Sequence, residues 1–307
     1  MTFKRLLAAS AALLALSTAA CASPVDAGSV EVGASEVPPA GAVPGPALWQ
    51  LSDEDTTIYL FGTVHVLPEG IDWYDARIAR AFAASDQLVT EVDVGDSAAM
   101  AAQMTQTAQL TGGQTLRDLM TADDRAQYDA AMAGLGLPPA ALDGFEPWFA
   151  AINLSMLPLL SAGYDPASGV ESELAGRAGD KQRGALETLD QQLQLFDGMA
   201  LPYQLSYLDM TVEGVDEVVP TIQDMVAAWL AGDAPQLAQI MNAEMEDDYL
   251  YDRLLIDRNA NWAGWIQQRL NQPGTVFIAV GAGHLAGEGS VQDQLAQRGL
   301  SVTRIWQ

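Results

Sequence analysis

Both histidines of this chain, His65 and His284, end the same short pattern. An apolar run leads to a glycine, two further residues and then the imidazole. Near one end this reads Ile58-Tyr59-Leu60-Phe61-Gly62-Thr63-Val64-His65; near the other, Val276 to Val280 precede Gly281-Ala282-Gly283-His284. Such apolar runs read as buried β-strands, and open α/β sheets bind ligands in the crevice beyond the carboxyl ends of their strands. A strand-end glycine lets the chain turn sharply and a ligand approach the backbone. The pattern predicts two strands, distant in sequence, that present imidazole to one crevice. Ordinary capping or half-buried histidines are the alternative; that suits one lone histidine better than two in matching positions.

Two imidazoles need carboxylate company to hold a metal. Glu91 closes the run Leu88-Val89-Thr90, at the level expected for His65 if those strands are neighbours. A glutamate there is costly unless paired, metal-bound or turned to solvent on an edge strand. Glu187 closes Gly184-Ala185-Leu186 in the same manner. Glu171 and Glu173 follow Gly169-Val170 and are weaker candidates, because a helix dipole would also favour them in a first turn. Arg258-Asn259 lies in a helical stretch rich in acids, where the arginine calls for a carboxylate partner at the site or an i,i+4 partner on the surface.

Composition narrows the function. Forty Asp+Glu against 14 Lys+Arg give a net charge of −26, which argues against nucleic acid and anionic membrane surfaces as partners. Hydrophobic residues make up 49% and charged ones 18%, enough apolar material for a core and too much for a disordered chain. One cysteine excludes an internal disulfide framework and any cysteine-based zinc or iron–sulfur site. There is no Gly-x-Ser-x-Gly elbow, no P-loop and no dinucleotide fingerprint.

Residues 1–22 read as an export signal: Lys4 and Arg5, then a small apolar stretch from Leu6 to Leu16, then small residues. Cys21 sits at the processing point. It is either acylated as the new N-terminus of a lipoprotein or removed by cleavage after Ala22. Residues 23–46, rich in Pro, Gly and Ala, read as a flexible tether, with the folded domain at 47–307. These features predict an exported protein of the bacterial periplasm or envelope, held to a membrane only by a lipid at Cys21. The domain reads as α/β, a mixed central sheet with a large, mostly helical insertion and strand-GxxH units at both ends. Strands are expected at 48–51, 58–61, 87–92, 184–186, 275–280 and 301–306. Helices include 72–84, 122–134 with Thr121 as N-cap, and one unbroken helix over 249–270. A helix at 290–298 should join the last two strands into a βαβ unit. Trp49, Trp148, Trp229, Trp262 and Trp265 are expected in the core.

GTVH at 62–65, TEVD at 90–93, PW at 147–148, LET at 186–188, RNANW at 258–262 and VGAGH at 280–284 together resemble the TraB/GumN family. That family is related to the Tiki metalloproteases and, more distantly, to erythromycin-esterase and ChaN-like proteins. The resemblance spans residues 47–307 and includes Val66 after the first GxxH. It departs at Glu171, where Asp is expected after Gly-Val. It implies a site centred on His65, Glu91 and His284, with Glu187, Arg258 and Asn259 around them. Three functions follow as expectations. The first is a hydrolase in which His65, His284 and Glu91 hold Mn²⁺, Co²⁺ or Zn²⁺, Glu187 or Glu91 shuttles a proton, and Arg258 steadies an oxyanion; a peptide or small molecule is the substrate. The second is a metal-free, esterase-like hydrolase with a histidine base. The third is a non-enzymatic envelope factor for surface polysaccharide, with haem as a conceivable ligand.

Overall fold

The computed structural model describes residues 44–306 apart from 94, 96 and 243–246; the leader, Cys21 and most of the tether lie outside the described residues. Eight strands are present among them: β1 (Leu48–Ser52), β2 (Thr56–Thr63), β3 (Leu67–Pro68), β4 (Gln87–Thr90), β5 (Tyr164–Asp165), β6 (Gln182–Ala185), β7 (Gly274–Gly281) and β8 (Thr303–Arg304). Six of them form one mixed sheet in the order β6-β4-β7-β2-β1-β8, while β3 and β5 pair separately. The four strands β6, β4, β7 and β2 run parallel; β1 is antiparallel to both of its neighbours.

Alternation along the strands builds two cores, one on each face of the sheet. Phe61, Leu88, Phe277 and Ala279 pack on one face against the helices. Ile58, Leu60, Val89, Val276, Ile278 and Val280 pack on the other. Parallel strands covered on both faces account for the continuous apolar runs. Each fully buried large side chain contributes about 1.5–3 kcal/mol relative to exposure.

The helices are α1 (Ala76–Ala84), α2 (Ser97–Thr107), α3 (Ala122–Gly134), α4 (Pro147–Ser161), α5 (Val170–Arg177), α6 (Leu189–Asp197), α7 (Leu201–Gly214), α8 (Val218–Ala231), α9 (Ala234–Asn242), α10 (Asp248–Tyr251), α11 (Asp257–Arg269) and α12 (Val291–Ala296). Most of the insertion, including α4, α7 and α8, joins the first core, whereas α11 and α12 cover the opposite face. Thr121 caps α3, accepting from the Asp124 amide.

Two elements differ from the sequence expectation. The helix expected over 249–270 is broken by a π-helical turn at Asp252–Ile256, closed by the Asp257 amide on the Asp252 carbonyl. The turn inserts one extra residue just before Arg258, and Leu254, Leu255, Arg258, Asn259 and Trp262 are all buried around it. The last strand is short, and β8 lies beyond β2 and β1 rather than beside β7, so the final crossover spans half the sheet.

Candidate functional site

The parallel strands set the site. In the β2–β7 pair, Gly62 lies opposite Val280 and Thr63 opposite Gly281, so the two GxxH turns leave the sheet side by side. Glu91 follows β4 on the other flank of β7. Glu187 follows β6, its amide bonded to the Glu91 carbonyl at 2.8 Å. Four neighbouring strand ends therefore deliver His65, His284, Glu91 and Glu187 to one edge. Gly281 is the floor. A Cβ there would lie 3.1 Å from Glu91 Oε1, 3.5 Å from His65 Nε2 and 3.6 Å from His284 Cδ2.

Arg258, brought in by α11 just after the π turn, ties these groups together. It donates through Nε to Glu187 Oε1 (2.7 Å), through Nη2 to Glu187 Oε2 (2.7 Å) and Glu91 Oε2 (2.6 Å), and through Nη1 to His284 Nε2 (2.9 Å). Its guanidinium stacks on Trp262, whose Nε1 donates to Glu187 Oε1 at 3.0 Å. Gln192 Nε2 bridges Glu91 and Glu187 at 3.2 and 3.1 Å. The Gly281 amide donates to Glu91 Oε1 at 2.7 Å.

Each imidazole is anchored through Nδ1. Asn259 Nδ2 donates to the Gly289 carbonyl, which turns Oδ1 toward His284 Nδ1 at 2.6 Å. His284 thus carries its proton on Nδ1 and leaves the Nε2 lone pair for Arg258. His65 Nδ1 lies 2.7 Å from Glu171 Oε1, and Thr63 Oγ1 donates to that same carboxylate. Gly169 packs on the His65 carbonyl so closely that a Cβ would come within 2.1 Å of the oxygen.

The electrostatics separate the two histidines. Burial and the Arg258 guanidinium hold His284 well below its ordinary pKa, so it is neutral. Burial also works to lower His65, but Glu171 and then Glu91 outweigh it and raise the imidazole to about 9. Its side chain still keeps 33% of its surface exposed, against 1% for His284, so it faces the opening. Burial alone would raise Glu91; Arg258, the His65 imidazolium and the Gly281 amide instead hold it well below the usual carboxylate range.

The donor chemistry fits a divalent ion. Metal-bound histidines hold their other ring N–H on a carboxylate or carbonyl acceptor, as Glu171 and Asn259 do here. His284 Nε2 and Glu91 Oε1 are 3.9 Å apart. A tetrahedral ion with bonds of about 2.1 Å needs ligand atoms roughly 3.4 Å apart, a small closure. The Arg258 Nη1 contact at the His284 lone pair must yield for this to happen. Among the described residues, no three His, Cys, Asp or Glu side chains are already arranged around one ion position.

All six residues singled out most strongly from sequence, His65, Glu91, Glu187, Arg258, Asn259 and His284, meet in this cluster. Glu171 joins them, more centrally than its sequence position indicated. Glu173 does not: it pairs with Arg177 on the surface of α5 at 3.0 Å. Trp262 is core, as expected, and is also a donor to the site. Gln192 gave no sequence signal, since an amide in a helix has no local mark of its partners; Thr63 stood unremarked within GTVH.

These features define an α/β protein with a polar centre built on parallel strand ends. The chain belongs to the TraB/PrgY/gumN family, whose model matches residues 47–304. Its relatives include the uncharacterized protein YbaP of Escherichia coli (strain K12), 24% identical over 238 residues covering 77% of this chain and 87% of that one. An uncharacterized protein of Treponema pallidum (strain Nichols) is 22% identical over 82% of this chain and 80% of its own length. The protein named metalloprotease TIKI2 of Danio rerio is 26% identical over 80% of this chain and 57% of its own length. No solved structure matches.

Proposed function

We propose that this protein is a divalent-metal-dependent hydrolase of peptide bonds. The observation that carries the proposal is the pair of Nδ1 anchors, Glu171 on His65 and Asn259 on His284, with Glu91 and the bare backbone of Gly281 between the rings. The name of the TIKI2 relative supports it. His65, His284 and Glu91 would hold Mn²⁺, Co²⁺ or Zn²⁺, which would supply Lewis-acid activation of water and carbonyl. Glu171 and Asn259 orient the rings. Glu187 sits at the edge of the cluster to accept a proton, and Arg258 keeps Glu91 ionised; the Nη1–H now on His284 would become available to developing negative charge once a metal took that nitrogen. The leader and tether read from the sequence support action in the periplasm or cell envelope, where a lipid at Cys21 would serve as the anchor.

The test is metal analysis of protein purified without chelator, then of His65→Ala and His284→Ala. Loss of stoichiometric metal and of peptide cleavage in both is expected; variants that bind metal like the parent would refute the proposal.

One observation favours a second reading without metal. The environments push the two imidazole pKa values apart, the usual arrangement for separate acid and base roles. In that reading the His65 imidazolium is the proton donor. Cleavage that survives strong chelation selects it.

A further inference from the structure

The cavity above the site has walls of two kinds. One is the strand-end wall of His65, Glu91 and His284; the other is apolar, formed by Met225 of α8 with Leu237 and Met241 of α9. Those three side chains are buried and belong to the core face that carries the helical insertion. Among the described residues, the polar side chains that line the cavity all come from the strand ends. A charged or hydrogen-bonding group entering between the helices would leave water and find no partner there. An apolar group would not, and the flexible thioethers can mould to it.

A second space adjoins it, lined by Trp49, Trp229 and Ala234 and also by Asp233. The two spaces share two wall residues, Leu237 and Ala282. Ala282 is fixed by its backbone: the Gly62 Cα packs so near that a Cβ there would come within 3.0 Å of the Ala282 Cα. Leu237 is therefore the shared wall residue whose side chain can be varied.

We infer that this cavity is a recognition pocket for a small apolar substrate side chain, seated beside the bond to be cleaved, with Leu237 as the residue that limits its length. The inference rests on the hydrolase reading for what the neighbouring bond undergoes, though the pocket itself can be tested without turnover.

The probes are the N-acetyl amides of alanine, leucine, methionine, phenylalanine and aspartate, with binding to the full chain followed by calorimetry. The parent is expected to bind the alanine and leucine derivatives about tenfold tighter than phenylalanine or aspartate, the scale of discrimination an apolar pocket provides. Leu237→Ala joins the two spaces and should move the preference toward phenylalanine by about tenfold, while Leu237→Met keeps the parent order. If Leu237→Ala does not fold by circular dichroism, Leu237→Phe decides, by losing leucine while retaining alanine. A flat panel, no binding, or an unchanged order in the deciding variant overturns the pocket. Side-chain preference in a protein that cleaves no peptide with any added metal overturns the hydrolase reading and leaves the pocket standing; cleavage with a flat panel does the reverse.

Discussion

Arg258 Nη1 lies 2.9 Å from His284 Nε2, so the lone pair that would bind a metal already faces a cationic donor. The same guanidinium neutralises Glu91 and Glu187 within a buried cluster. Cation binding and this contact compete for one nitrogen, and that makes Arg258 the first residue to change.

Arg258→Gln leaves two carboxylates facing each other with their guanidinium gone. Breaking a buried ion pair from one side costs about 3–5 kcal/mol, which denaturant unfolding of the metal-free protein would show. Affinity for Mn²⁺ or Zn²⁺ should rise, because the negative charge stays and the competing donor leaves. A stable variant with weaker metal binding would show that Arg258 does not oppose the ion.

Asn259→Ala removes the acceptor that fixes the His284 tautomer and orphans a buried Nδ1–H. The expected cost is about 1–3 kcal/mol in stability. Metal affinity should fall about 10–100-fold, as it does when an orienting partner of a metal-bound histidine is lost. Isothermal titration read beside the unfolding curve separates the two effects.

Gly281→Ala divides site from fold. The backbone there has a negative φ, −46°, so it does not demand glycine, yet the added methyl would press on Glu91 Oε1 at 3.1 Å. The melting temperature should stay within a few degrees while cleavage falls at least about a hundredfold, the scale that small displacements of reacting groups produce. Equal activity in the variant would remove Gly281 and its surroundings from the site.

Asp209 gives stability a pH dependence unrelated to the site. Burial, then Asp124 and Glu213, raise its pKa from 3.8 to about 6. The folded protein holds this proton more tightly than the unfolded chain, so stability falls as pH rises from about 4 through 6 and the penalty persists above that. Asp209→Asn should match the parent near pH 4 and exceed it at pH 7 by about 1 kcal/mol, a value reduced for the half-exposed position. Urea unfolding at both pH values decides; an equal gain at pH 4 would point to a cause other than titration.

The strand ends were legible because they are local. An apolar run stopped by Gly-x-x-His, or by a glutamate at 91 or 187, marks a chain leaving a sheet whatever lies around it. Glu171 was harder to weigh. Two acids in a first helical turn look alike in sequence, and only the docking of α5 against the Val64–His65 backbone decides that Glu171 reaches the imidazole while Glu173 reaches Arg177. The break in the helix over 249–270 was hidden for a similar reason. Its residues suit a helix throughout, and nothing in their local pattern marks the π turn at 252–256.

By itself the sequence determined the α/β class, the two imidazole-bearing strand ends and the acids that close neighbouring runs, since each is written in periodicity and in a few adjacent residues. The tertiary structure alone decided the strand order that brings those ends together, the single guanidinium shared by Glu91, Glu187 and His284, and the partner that holds each Nδ1. Those are contacts between residues far apart along the chain, such as Thr63 opposite Gly281 and the Gly281 amide on Glu91. Their energies depend on distance and burial, and neither quantity exists until the chain has folded.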